Sequence, residues 1–445
     1  MRKILVIALL ACLPPSWSLA ADTREFPWLS WDEATGDWAG VRPAISDRGV
    51  DLFASYSAEV WGNTTGGLKP GSVYTGLLQF GANVDLEKLV GWKGASVNTT
   101  WLWLSGRDAS ADLVGNIFTV SNIAGFNTLR MFDLWFQQNF LDDKISIRLG
   151  QLNADGEFVI SDYSALFLNG TFGWPAFIYT NVPGGGPGYP MGTLGARIAL
   201  HPVDWFTFQT AIFQGNVFDQ NVNRHGFRWR LDAETGYLWL NEAQVRWSHQ
   251  DDATGLPGQV KVGFWYDTVN FASADLDSSK IYQGNYGFYG IIDQMLYREP
   301  SPAAPLAPKD GKTNADGKST VSPASSPSTQ GLGWFGRIAF SPQDRNFIGF
   351  YFDTGLSYQG LIPTRDNDTM GLAFAYGQLT SGFAQAAFDE GSRGVGAEMV
   401  LEATYQAQLN NWLVIQPDLQ YIINPGAGFS GPNAFVIGGR VTITF

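Results

Sequence analysis

Apolar and polar residues alternate one by one along most of this chain, a period that fits half-buried β-strands and little else. In 51–60, Leu52, Ala54, Tyr56, Ala58 and Val60 share one face, while Asp51, Ser55, Ser57 and Glu59 share the other. Leu78, Phe80, Ala82, Val84 and Leu86 oppose Gln79, Gly81, Asn83 and Asp85. Ile145, Ile147 and Leu149 oppose Ser146 and Arg148, and Val260, Val262, Phe264 and Tyr266 oppose Lys261 and Asp267. Met399, Leu401, Ala403 and Tyr405 stand against Glu398, Glu402, Thr404 and Gln406, and Ile415, Leu419 and Tyr421 against Gln416, Asp418 and Gln420.

A soluble β-sandwich with one wet face would show the same period, but two features favour a membrane barrel. The polar faces carry charges of both signs, as a water-filled lumen does, and short turns alternate with long loops. Residues 141–144, 201–205 and 409–412 are short connections, whereas 105–129, 153–193 and 214–237 are long. Composition agrees: 52 glycines, 17 Trp, 16 Tyr and 31 Phe accompany only 16% charged residues. Strands are expected near 50–61, 74–86, 95–104, 131–139, 145–152, 194–201, 206–213 and 238–248. The remainder are expected near 258–267, 287–297, 331–340, 346–357, 368–377, 396–408, 413–424 and 434–445. Sixteen strands would bring both termini to the periplasmic side and leave an aqueous channel. An eighteen-stranded alternative would draw two further strands from 268–286 and 378–395. The final segment alternates Ile437, Gly439, Val441 and Ile443 with Arg440, Thr442 and Thr444 and stops on Phe445, the usual form of an outer-membrane insertion signal.

Arg2 and Lys3, the apolar run 4–13, Pro14-Pro15 and Ser18-Leu19-Ala20 read as a secretory signal, residues 1–20. A lipoprotein-type cut at Cys12 is the weaker alternative. Cys12 is the single cysteine, so the mature chain has no disulfide and no thiol nucleophile. His201, His225 and His249 lie far apart, without metal-ligand spacing and without a visible nucleophile, so neither a metal site, a cofactor nor a hydrolytic enzyme is expected. Gly184-Gly185-Gly186-Pro187-Gly188 lacks the Lys-Ser/Thr of a phosphate loop and reads as a turn. The formal charge of -13 becomes -15 without Arg2 and Lys3, which argues against nucleic acid and anionic head groups as partners. If the lumen shares that charge, cations are preferred over anions. Residues 21–48 are expected to form a periplasmic segment with a short helix within 32–48, 49–445 the barrel, and 298–330 a Pro/Ser-rich disordered insertion. Trp61, Trp101, Trp103, Trp239, Trp247 and Trp412 are candidates for interfacial girdles.

Several stretches carry a family likeness. Gly36-Asp37-Trp38-Ala39-Gly40-Val41-Arg42-Pro43 and Leu86-Glu87-Lys88-Leu89-Val90-Gly91-Trp92-Lys93-Gly94 resemble motifs of the carbohydrate-selective porins of the OprB type. So do 110–116, 119–123, Phe167-Leu168-Asn169-Gly170-Thr171-Phe172-Gly173-Trp174-Pro175, 293–299, 360–363 and 416–421. Gly170 departs from an expected Ser, and the insertion around 300–330 lies outside the likeness. The resemblance implies an all-β, sixteen-stranded antiparallel outer-membrane barrel with long loops folded into the channel, and passive diffusion of sugars, monosaccharides above all. A general porin without sugar selectivity, or an adhesin-like barrel, remains the alternative, as does either a monomer or a trimer among outer-membrane lipid.

A porin needs a wet path, a constriction and groups that replace a solute's hydration without holding it. Sugar hydroxyls pair with charged and amide side chains, while sugar C–H faces lie on aromatic rings. Strand parity sends Asp133, Trp135, Gln137 and Arg148 inward. Arg107 and Arg130 flank the 105–129 loop, and Glu157, Asp162, Asn169, Phe172 and Trp174 occupy the 153–193 loop. These ten residues other than Gln137 are the candidate solute pathway. For the charged ones, salt bridges that pin loops to the wall compete with direct solute contact, and for Phe172 and Trp174 loop packing competes with stacking.

Overall fold

The computed structural model describes residues 27–445 apart from 218, 232–233, 250–254, 276–277, 301–329 and 390–395. The barrel opens with β1 (Val50–Thr65), β2 (Gly71–Asp85), β3 (Ala95–Gly106) and β4 (Thr128–Phe140). It continues through β5 (Ile145–Leu152), β6 (Thr193–Val203), β7 (Phe206–Gln214) and β8 (Tyr237–Trp247). Then come β9 (Gly258–Ala272), β10 (Ile281–Arg298), β11 (Gly331–Phe340) and β12 (Ile348–Gln359). β13 (Thr369–Leu379), β14 (Ala397–Asn410), β15 (Leu413–Ile423) and β16 (Ala434–Thr444) complete it. Each strand pairs antiparallel with its sequence neighbour, and β1 closes on β16 from Ser55↔Thr444 to Thr65↔Phe435. Closure leaves no unpaired edge, the condition for placing strands in lipid.

Sixteen strands is therefore the count. Most of the described residues within 268–286 and 378–395 belong to the extended ends of β9 and β10, to the end of β13 and to a helix at Ser381–Asp389. Strand ends were harder to read than strand centres: β10 begins at Ile281 rather than near 287, and His201 lies inside β6 rather than in a turn. Arg298 still pairs with Gly331, so the insertion leaves the ladder one residue later than expected. Its departure point lies at the barrel end that carries the 27–49 segment and Phe445; residues 301–329 themselves, like the signal expected at 1–20, lie outside the described residues.

The outward face is apolar, as alternation requires: Leu52, Val60, Trp103, Val262, Phe288, Leu372 and Ile437 are all exposed. No helix among the described residues is long and apolar enough to cross a membrane, so the strands carry the apolar surface. At the termini end, the expected helix covers Val41–Ser46. Arg42 donates to the Phe445 carbonyl at 2.8 Å, and Trp412 donates to Trp28 O at 3.1 Å. Trp103, Trp239 and Trp247 are exposed as girdle residues should be, but Trp412 is covered by this segment. Trp61 is also not a girdle residue: it is fully buried inside the barrel and donates to Glu59 Oε2 at 2.8 Å.

Candidate functional site: the channel lumen

Loop 153–192, between β5 and β6, runs into the barrel and fills much of it. Its apolar residues Phe158, Leu166, Phe167, Phe172, Phe177 and Ile178 are buried against inward-facing Phe213, Trp265, Tyr289, Phe335 and Tyr351. A loop inside a barrel also brings backbone N–H and C=O groups away from bulk water, where each unpaired group costs about 1–3 kcal/mol. The wall supplies the partners. Leu168 N and Asn169 N donate to Glu402 at 2.6 and 3.0 Å, Val159 N to Glu242 at 3.0 Å, and Ser161 Oγ to Asp293 at 2.5 Å. Lys261 Nζ donates to Ile160 O at 2.8 Å, and Gln416 to Leu166 O at 2.7 Å. Arg337 lies at the centre of this pinning. It forms a two-pronged pair with Asp353 at 2.6–3.0 Å and donates to the carbonyls of Val159, Thr171 and Phe172. Loop 107–127, between β3 and β4, is held in the same way, with Ile117 N and Phe118 N donating to Glu398.

Two open volumes stand out among the described residues. The larger, about 1150 Å³, lies at the long-loop end and is lined by Gln79, Asp108, Asn122, Asp155, Trp174, Tyr189 and Arg440 among others. Burial raises the carboxyls of Asp108 and Asp155 above their ordinary range. Burial also raises the Tyr189 phenol, which stays protonated and donates to Ile123 O at 2.6 Å. Arg440 crosses from β16 to pair with Glu59 at 2.5 Å and donates to Asn122. The smaller volume, about 450 Å³, lies at the short-turn end among Gln137, Asn139, Ser146, Arg148, Glu157, Arg197 and Gln209. Here Glu157 bridges Arg148 at 2.6 Å and Arg197 at 2.5 Å. The Arg148 guanidinium lies 3.8 Å from the Trp135 ring centre. Gln137 accepts from Arg148 at 2.7 and 2.9 Å and from Arg197 at 3.0 Å.

The chain belongs to the carbohydrate-selective porin, OprB family. That family's model matches residues 69–445. The chain is 23% identical to Porin B of Pseudomonas aeruginosa over 442 residues, covering 92% of this chain and 90% of that one. It is 22% identical to the putative porin QuiX of Acinetobacter baylyi, covering 98% and 97%. Its fold is similar to the high-pH structure of Pseudomonas putida OprB, with a TM-score of 0.76 at 23% identity over 94% of this chain and all of that one. This OprB-family protein is thus a carbohydrate-selective porin of the bacterial outer membrane, a transporter rather than an enzyme.

Of the residues expected in its pathway, Trp135, Arg148 and Glu157 come together, and Trp174 lines the large cavity, where its indole donates to Gly185 O at 2.8 Å. Arg107 stands exposed at the rim, paired with Asp112 at 2.6 Å. Asp162 accepts from Gln259 at 2.7 Å. Asn169 and Phe172 are fully buried: Asn169 bonds Phe118 O and Gln420, and Phe172 packs on Phe167 and Phe335, so both fasten the loop rather than face a cavity. A bulge in β4 pairs Thr100 with Asp133 and Trp101 with Met131, leaving Phe132 extra. That insertion puts Arg130 and Asp133 on the same inner face although they are three positions apart. Both are buried, with Arg130 over the Phe126 ring at 5.2 Å. Arg197, Arg337 and Glu402 were missed as site residues. Alternation turned Glu402 inward, but nothing local marks which inward charge will meet a loop.

Proposed function

We propose that this porin passes monosaccharides by passive diffusion and that the Trp135, Arg148, Glu157 and Arg197 cluster selects for them. The observation that carries this reading is the indole face set directly beneath a guanidinium whose charge is offset by Glu157. The hydroxyls of an uncharged polyol meet guanidinium donors and the Glu157 acceptor there, and the stack on Trp135 holds the Arg148 fork in place for them. Gln137 and Gln209 add amide partners on the same cavity. Arg440, Asn122, Gln79 and Trp174 offer the same chemistry at the wider mouth.

Liposome swelling with the refolded mature chain tests this. Monosaccharides entering clearly faster than amino acids and amides of similar size support it, and Arg148→Ala is expected to erase that ratio while leaving the barrel folded. Entry set by size alone would reduce the protein to a general diffusion channel.

A further inference from the structure

Loop 215–236, between β7 and β8, begins at the mouth, where Val217 and Gln220 line the large cavity. It then crosses the rim and lies on the outside of the barrel. Leu129 and Trp103, paired across β3 and β4, face outward and are exposed, and Met131 and Gln151 share their outer side. Yet Met131 and Gln151 are each only 2% exposed, because this loop covers them. Met131 N donates to His225 O at 3.1 Å, and Trp229 Nε1 donates to Gln151 Oε1 at 2.6 Å. Phe227 packs on Trp101 with ring centres 5.7 Å apart. Gly226 is required at the crossing: its φ is +80°, and a Cβ there would stand 2.1 Å from Met131 O.

The strap presents a specific chemistry. Arg224, Arg228 and Arg230 alternate with Phe227, Trp229 and Leu231, and all six are exposed on the outer wall at the long-loop end. Arg224 donates to Asn127 O at 2.7 Å and Arg230 pairs with exposed Glu234 at 2.7 Å, which hold both guanidinia in place. Three arginines within seven residues stand out in a chain of net charge -13. Outside the wall the neighbour is lipid, and the outer leaflet of a bacterial outer membrane is built of phosphorylated glycolipid. Arginine forks match phosphate geometry, and Trp and Phe sit at the headgroup boundary.

We propose that the 224–231 strap is a docking site for the phosphorylated headgroup of an outer-leaflet glycolipid, with the arginines on phosphate and the aromatic residues at the acyl boundary. The site is independent of solute selectivity, since it lies on the opposite side of the wall. The test uses the refolded mature chain and bisphosphorylated lipid A, with dephosphorylated lipid A and phosphatidylglycerol as comparators, read by native mass spectrometry. The wild type is expected to retain the bisphosphorylated form selectively. The R224Q/R228Q/R230Q variant is expected to lose at least roughly tenfold in affinity, from the value of several basic residues against an anionic surface. Its sugar-swelling rate stays at the wild-type level, which shows the barrel is folded. Equal retention by variant and wild type overturns the proposal, as does equal binding of dephosphorylated lipid A. An oligomer that the variant dissolves also overturns it, by making the strap a subunit interface.

Discussion

Loops 153–192 and 215–236 leave the same end of the barrel, yet one enters the lumen and the other folds over the outside. The difference lies in what each wall face offers. The lumen wall pairs apolar residues such as Phe335 and Tyr351 with charges such as Arg337, Glu402 and Asp293, so an entering loop finds both a core and partners for its backbone. The outer wall near β3–β5 offers polar partners to a few strap groups only, Met131 N and the Thr128 hydroxyl as donors, the Leu129 carbonyl and Gln151 as acceptors, beside the Trp101 ring, and the strap stays largely exposed. A long loop goes where its peptide groups can be satisfied, and polar side chains of the wall settle that as much as loop sequence does.

The largest effect is expected from Arg337→Met. It strips Asp353 of its partner and three loop carbonyls of a donor, all fully buried, and breaking such a pair costs about 3–5 kcal/mol. The temperature at which the barrel loses its compact mobility in detergent gels should fall sharply, and a second change, Asp353→Leu, should recover much of it. An unchanged transition would mean that apolar packing alone holds the inner loop. Glu402→Ala comes next. Leu168 N and Asn169 N lose their acceptor, at a cost of roughly 1–3 kcal/mol. Single-channel recordings should show added noise as the loop detaches locally, and a quiet trace would show that this anchor is redundant.

Trp229→Ala removes the bond to Gln151, worth about 1 kcal/mol, together with the half-buried indole on the outside. Conductance is expected to stay at the wild-type value, and a change would mean that the strap communicates with the lumen. The smallest effect concerns pH. Asp155 accepts from Tyr189 N at 2.7 Å and Asn153 at 2.9 Å, and burial raises its carboxyl above the ordinary range. Between the unfolded and folded values, the folded chain keeps a proton that the unfolded chain has released, so this group's contribution to stability is present on the acid side and falls as pH rises through that window. Asp155→Asn should flatten that part of a melting-temperature profile against pH, and an unaltered slope would assign it to another group.

The sequence by itself determined the barrel. Period-two alternation in segments such as 51–60 and 398–406 fixes which residues face lipid, because a one-residue slip would turn every apolar side chain into water. It also identified Asp133, Trp135 and Arg148 as inward, since 133–137 and 145–149 keep the two-residue period, and the motif at 167–175 marked a loop destined for the channel. Tertiary structure alone decided the rest. The β4 bulge that turns Arg130 to the inner face beside Asp133, and the burial of Asn169 and Phe172, each depend on a partner distant in sequence. Arg197 reaches Glu157 across 40 positions of chain, and Arg337 reaches Val159 across 178. Alternation is a local steric property of a pleated strand, whereas the pinning of loops and the placement of the outer strap are closed only when distant groups satisfy one another's hydrogen bonds.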